Sequence, residues 1–308
     1  MIMRRDFFLL VTLAAAAATP ALAQTAVPAG ESPRGTPQSA ASTPDLTGLW
    51  GHPSLPGFEP PASGPGPVRN RSRLPNGVAN FNRLVGDYTN PILKPEAAEI
   101  VRQHGEISLR GEGYPTPSNQ CWPGGVPYLF TSFGIQVIQQ ADRVTILYGQ
   151  DHEVRRIWLN QSHPAHLTPS WNGDSVGRYE GDTLVVDTVG IKVEPFNMID
   201  MYGTPHTEAL HVAERYRMLE YEDAKEGFER DAKENLIVAA NVNPNYKGRT
   251  LQLKFTVEDE GVFTMPWSAT ITFRPAFGTW QENICAENRN EPTPRKESAV
   301  PTANKPDF

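Results

Sequence analysis

The sequence predicts a mainly β protein, an antiparallel meander that closes into a barrel, with a two-sheet sandwich as the alternative. Three observations carry this. Short runs of alternating apolar and polar residues recur through the second half of the chain, tight turns separate them, and a long meander must close or stack to hide its edges.

The strands can be taken in order. Ile135, Val137 and Gln139 alternate with Gln136 and Ile138, then Ala141-Asp142-Arg143 turns the chain, and Val144, Ile146 and Tyr148 alternate back. A third run spans Val154 to Leu159. Ser175 to Tyr179 and Leu184 to Val189 flank Glu180-Gly181-Asp182, where Gly181 suits the positive φ of a tight hairpin. Glu208 to Met218 fits both periods and is read as a strand because its neighbours are strands. Leu251 to Val257, Trp267 to Phe273 and Trp280 to Cys285 complete the set. Two helical patterns stand apart. Ala97, Ile100 and Val101 mark a helix over Pro95 to Gly105, and the charged Asp223 to Asn235 reads as a surface helix or a long excursion. Residues 51 to 77, rich in Pro and Gly, are expected to wrap the surface as a loop.

The ends speak of export. Arg4 and Arg5 give a positive n-region, Phe7 to Ala18 an apolar core, and Ala21-Leu22-Ala23 a small-x-small cleavage site. Residues 1–23 are therefore expected to be a signal peptide, and cleavage of the 308-residue chain leaves 308 − 23 = 285 residues. Arg4-Arg5-Asp6-Phe7-Phe8 also resembles the twin-arginine motif, so both export routes stay open. Residues 24–43 are expected to form a flexible leader, 44–288 a single β-rich domain and 289–308 a loose polar tail. The expected address is periplasmic or secreted. No stable membrane insertion is expected after signal cleavage, because no other apolar stretch reaches membrane length.

Composition narrows the partners. A net charge of −7 argues against nucleic acid, whose phosphates call for a basic surface. The two cysteines, Cys121 and Cys285, are expected to bridge in an oxidising compartment, a closure of about 4–5 kcal/mol in the chain-entropy model. Nothing basic flanks either one to favour a reactive thiolate.

Gly48-Leu49-Trp50, at the entrance of the domain, looks like the opening of lipocalin-type barrels. From Pro44 onward the chain also resembles a large, functionally uncharacterised family of exported bacterial proteins. The resemblance rests on Pro44-Asp45-Leu46-Thr47-Gly48-Leu49-Trp50, on Cys121-Trp122-Pro123-Gly124-Gly125-Val126-Pro127, and above all on Trp171-Asn172-Gly173-Asp174-Ser175-Val176-Gly177-Arg178-Tyr179-Glu180-Gly181-Asp182-Thr183-Leu184-Val185-Val186. Gly203-Thr204-Pro205-His206-Thr207-Glu208-Ala209-Leu210, Glu214-Arg215-Tyr216, Pro266-Trp267 and Glu282-Asn283-Ile284-Cys285-Ala286-Glu287-Asn288 extend it. Tyr179 stands where the family has Trp, and an additional stretch follows Met218. The family implies kinship and no activity.

Five of the seven histidines fall between 152 and 211. His163-Pro164-Ala165-His166 follows the third strand, and His206-Thr207-Glu208-Ala209-Leu210-His211 lies at the edge of a later one. On an extended chain His206 and Glu208 share a face and would form an acid/base pair, with His163 as a further catalytic candidate. On a helix Glu208 would instead meet His211 at i, i+3. If a metal is bound, His206, Glu208 and His211 are its candidate ligands. Solvated loop or capping roles remain the plain alternative. Asp174, Glu180 and Asp182 suggest paired carboxylates of glycoside chemistry, although a turn explains the last two. Arg155, Arg156 and Arg178 are candidates for an anionic substrate, but strand arginines among apolar residues commonly face solvent. No serine-hydrolase elbow, P-loop or dinucleotide fingerprint occurs, and no cofactor is named.

The expected function is an exported barrel enzyme of isomerase, hydratase or lyase type, using acid–base chemistry on a small apolar molecule. A non-catalytic binder of such a molecule and a metal- or haem-dependent redox protein are the alternatives. Mass spectrometry of the mature protein should find an N-terminus at or near Gln24, with Cys121 and Cys285 resisting alkylation until reduced. A full-length cytoplasmic product with two reactive thiols would overturn both expectations.

Overall fold

The computed structural model describes residues 43–55, 57–150, 153–237 and 241–278. The expected signal peptide, all of the leader but its last residue, the strand at Trp280–Cys285, the 282–288 motif and the polar tail lie outside the described residues. So do His152 and Cys285, and with Cys285 the pairing expected of Cys121.

Among the described residues, eleven strands and two α-helices follow one another. They are β1 Gly48–Gly51, β2 Ser54–Leu55, α1 Pro95–Leu109, β3 Gly134–Gln139, β4 Arg143–Tyr148, β5 Val154–Leu159, β6 Asp174–Glu180, β7 Thr183–Val189 and β8 His211–Leu219. Helix α2 at Tyr221–Glu234, β9 Leu236–Ile237, β10 Thr250–Glu258 and β11 Trp267–Pro275 complete the order. Nine strands close a barrel in the order β1-β11-β10-β8-β7-β6-β5-β4-β3 and back to β1, while β2 and β9 pair separately. The mainly β, lipocalin-like barrel read from the sequence is thus the fold. Among the described residues no helix is long and apolar enough to cross a membrane.

The meander has one departure. Each antiparallel step reverses strand direction, so a ring of nine cannot be antiparallel throughout. The mismatch falls between β5 and β6, which run parallel and meet only at Trp158↔Val176 and Leu159↔Gly177. A parallel neighbour needs a long return, and the 160–173 connection supplies it. Backbones crowd at this seam. A Cβ on Gly177 would lie 2.8 Å from Ile157 Cγ2 and 3.3 Å from Val185 O. At the β6–β7 hairpin Gly181 has φ +61, as the turn requires.

Alternation sends one face of each strand inward. Val144, Ile146 and Tyr148, Ile157 and Leu159, Leu184 and Val186, Leu251 to Val257, and Trp267 to Phe273 contribute to one core cluster. Phe58 enters from the 52–60 strap against Phe255 (5.0 Å) and Trp267 (6.3 Å), and Phe130 packs on Phe255 (5.1 Å). Trp50 is buried, its Nε1 donating to Leu46 O at 3.0 Å. Gln139 ties this entrance to the barrel, since its Oε1 accepts from Leu46 N and its Nε2 donates to Pro44 O and to Tyr179 Oη at 2.7 Å. Helix α1 continues past Gly105 to Leu109, and Ile100 on it is exposed while Ala97 and Val101 are buried. The charged stretch after Met218 holds α2, whose buried residues Ala224, Gly227 and Asp231 are small or polar.

Arg155 does not face solvent, contrary to the reading of the strand arginines. It is 1% exposed because it takes an inward position on β5, between Val154 and Arg156, which point out. Its guanidinium donates to both oxygens of Glu214 on β8 (2.8 and 2.5 Å), to Thr188 Oγ1 on β7 (2.7 Å) and to Ser175 Oγ on β6 (3.0 Å). Tyr216 Oη donates to Glu214 Oε2 at 2.8 Å, and Phe130 presents its ring to Arg155 at 5.7 Å. Burial opposes the Arg155 charge, but the Glu214 carboxylate outweighs it and holds the guanidinium protonated far above its ordinary value. Burial pushes the Tyr148 phenol beside this cluster up to about 12, so it stays neutral.

Removing one partner strands a buried charge, which costs about 3–5 kcal/mol, whereas replacing both by apolar residues is often near neutral. Arg155→Met or Glu214→Leu alone should therefore lower unfolding stability by about 3–5 kcal/mol, and the double variant should lose less than either single. Additive losses in chemical denaturation would show that the two do not act as a pair.

Candidate functional site

If Ser175, Thr188, Val212 and Val257 point inward, their neighbours Asp174, Asp187, His211 and Glu258 must point out. Register aligns them, because Glu258 pairs with His211 and Thr188 with Val212 across adjacent strands. The result is a stripe of acids and histidine over the outer face of β6, β7, β8 and β10. His163 joins it from the 160–173 connection.

The side chains form a continuous ladder. His163 Nδ1 lies 2.6 Å from Asp174 Oδ1, and its Nε2 lies 2.9 Å from Asp187 Oδ2. The other oxygen of Asp187 meets His211 Nε2 at 2.6 Å, and His211 Nδ1 stands 3.6 Å from Glu258 Oε2. Asp187 thus bridges two imidazoles. A neutral ring has one N–H, so both contacts of His163 are hydrogen bonds only if the ring is doubly protonated or a neighbouring carboxyl carries the proton. The ladder is half-buried, with side-chain exposures from 22% at His163 to 52% at Glu258.

Its electrostatics follow from that arrangement. Burial alone would lower the His211 value, but the Asp187 hydrogen bond, the Asp187 charge and Glu258 together raise it above the ordinary 6.5. Burial likewise pushes Asp187 up, and the His211 and His163 hydrogen bonds outweigh it, leaving the carboxyl below 3.8. The His211 contribution to stability is present below its unfolded value and lost as pH rises through the raised one. The Asp187 contribution is present above its unfolded value and lost as pH falls through the lowered one. The ladder is strongest between these limits.

Beside it lies a groove of about 550 Å³ whose walls include Leu167, Ile191 and Val193, with Glu208 and His211 also in its lining. Leu167 and Val193 are exposed apolar residues there. Glu208 reaches the groove through a turn. Leu210 N donates to Thr207 O, Ala209 N to Thr207 Oγ1, and Thr207 itself is clamped by Asp259 through Oδ2 (2.6 Å) and Oδ1 (2.8 Å).

That turn separates His206 from Glu208. Sharing a face requires an extended chain, but β8 begins only at His211. His206 turns inward to 9% exposure with Nδ1 3.3 Å from Thr207 O, and burial lowers its value, while Glu208 points to solvent. The structure instead brings Glu208 and His211 to one groove and His163 and His211 to one carboxylate. His166 is exposed on the 160–173 connection. Among the described residues no three His, Cys, Asp or Glu side chains are placed to hold a metal ion, so His206, Glu208 and His211 do not assemble as ligands. Glu180 is taken up by Arg178 (2.6 Å) and Arg215 (3.1 Å), and Asp182 accepts from Thr183, which leaves them as turn residues apart from Asp174. Sequence reasoning passed over Asp187 and Glu258. For Asp187 the available signal was an acid at an outward position of a strand whose other residues are apolar or Thr.

Asp187→Asn should bring the His211 titration, followed by NMR of its ring protons, down toward the ordinary range, and should perturb His163 as well. An unchanged His211 titration would dissolve the ladder as an electrostatic unit. No protein-family model, curated protein or solved structure matches the chain.

Proposed function

We propose that the chain is an exported enzyme that moves a proton on a small, largely apolar molecule bound in the groove between Leu167 and His211. The observation that carries the reading is the placement of a carboxylate, Glu208, and an imidazole of raised proton affinity, His211, in the lining of one apolar groove. Apolar walls with a few polar groups suit a small ligand. A carboxyl group and an imidazole of raised proton affinity in one lining suit a base and an acid.

In this reading Glu208 takes a proton from a carbon of the substrate while protonated His211 donates one to the oxygen where charge gathers. Return of the Glu208 proton to a different carbon, with His211 taking its own back from the oxygen, gives an isomerase. Departure of a hydroxyl as water, with the Glu208 proton then passed through solvent to His211, gives a lyase. Asp187 orients His211 and stabilises its charged form, and His163 with Asp174 does the same for Asp187. Binding of the same molecule without turnover is the second reading, favoured by the groove's apolar walls alone.

The address belongs to the same proposal. The signal-like N-terminus supports export, the two cysteines support a Cys121–Cys285 bridge, and the 171–186 block supports kinship with the exported family.

Protein recovered from its secreted or periplasmic fraction should carry an extractable small molecule, and the enzyme should convert it. Glu208→Gln and His211→Ala should each lower turnover by about 10²–10⁴-fold, the range of positioned proton transfer, while both variants still fold to the barrel. Binding with no conversion would leave the second reading, and full turnover in both variants would remove these residues from the chemistry.

A further inference from the structure

A second cluster of titratable groups lies away from the groove, under α2. The residues that the helix buries, Ala224, Gly227 and Asp231, are small or polar, and it packs against β11 and against His52 and Gly57 to Glu59 of the strap. Gly227 sits directly over Glu59, and a Cβ there would come within 2.5 Å of Glu59 Oε1. Glu59 is 1% exposed. Its Oε2 accepts from Thr272 Oγ1 on β11 at 3.0 Å, and its Oε1 from Arg230 Nη2 on α2 at 3.3 Å. One turn further along the helix, Asp231 is also buried. It faces His52 Nε2 of the strap at 3.8 Å and accepts from Asn235 Nδ2 at 2.9 Å. Asn235 in turn holds the strap, accepting from Gly57 N and donating to Phe58 O. From β11 the only other charged group facing the cluster among the described residues is Arg274, whose guanidinium lies over the Phe228 ring at 4.0 Å.

Helix, strap and barrel are therefore joined through two buried carboxyl groups, one guanidinium partly open to solvent, and a buried imidazole. Two carboxylates in such a place repel each other across a medium that screens poorly, and one proton between them removes the conflict. We propose that α2 is a latch, held on the strap by a proton on Glu59 beneath Gly227 and loosened when that proton leaves.

The direction is set by the titration of each group. Burial first, and then the Asp231 charge, raise Glu59 from 4.5 to about 7, against the pull of Thr272 and Arg230. A raised folded value means that this contribution is complete below the unfolded value and is lost as pH climbs through about 7. His52 works the other way. Burial lowers it, so its contribution is present above 6.5 and disappears only as pH falls through the lowered value. The latch is tight on the acid side of neutrality and opens on the alkaline side.

Hydrogen exchange followed by mass spectrometry, corrected for the intrinsic pH dependence of exchange, reads this directly on the intact protein. Between about pH 6 and about pH 8.5 the α2 amides should lose protection several-fold, about tenfold at most, levelling off above the Glu59 value where closed and open states have both released the proton, while β10 amides keep theirs. Glu59→Gln should abolish the loosening on the alkaline side. Should that variant fold poorly, Asp231→Asn serves independently: removing the like charge should move the midpoint of loosening to lower pH. Equal behaviour of α2 and β10, persistence of the effect in Glu59→Gln, or an unmoved midpoint in Asp231→Asn would each overturn the latch.

Discussion

An odd ring cannot be closed by antiparallel pairing alone, and much of this molecule follows from that parity. The parallel neighbours β5 and β6 are joined by two residue pairs, where β8 and β10 share nine. The chain must also travel the whole strand length to start β6 in the same direction as β5. The 160–173 connection makes that journey, and on its way it lays His163 over the outer face. A ring of eight antiparallel strands would need no such return, and the ladder would lack its first imidazole.

The interior answers the weakness of the seam. Arg155 leaves β5 and reaches across β6 and β7 to Glu214 on β8, collecting Ser175 and Thr188 on the way. Side-chain bonds inside the barrel thus bridge the place where backbone bonds are few. A buried ion pair is weak evidence of net stability. Here its geometric role is plain, because a bidentate guanidinium fixes both distance and angle between the strands it joins. The same arrangement commits these buried polar groups to one another, and the proposed chemistry is placed on the outer wall.

Period-two patterning was enough to read seven of the nine barrel strands, since each buries one face and Gly181 marks a turn that only a few residues make. Strand β8 fitted both periods and was read from its neighbours, and β1 was noticed only as a lipocalin-like opening. Parity was not legible, because whether Trp158 pairs with Val176 depends on closure and not on local sequence. Arg155 escaped for a related reason. The alternation Val154-Arg155-Arg156-Ile157 allows either arginine to point inward, and only the carboxylate from β8, far away in sequence, decides which one does. His163, Glu208 and His211 were visible as chemistry-bearing residues, but their partners were not. Asp187 becomes the hinge of the ladder through cross-strand register, and His206 drops out because Thr207 and Asp259 impose a turn where an extended chain was assumed. Helix α2 carries its polar seat on Gly227, Asp231 and Asn235, which a hydrophobic pattern search passes over.

The ladder's position on a convex wall sets the terms of any chemistry done there. Water reaches Asp187 and Glu258, so the local dielectric stays high and charge–charge forces across the groove are damped. A deep pocket would exclude solvent by its own shape. Under the proposed function a bound molecule would itself serve as the cover, displacing water from the imidazole as its apolar body settles against Leu167 and Val193. Strong acid–base coupling would then exist only while the groove is filled, and the bulk of the ligand, more than its reacting atoms, would set how well the site works.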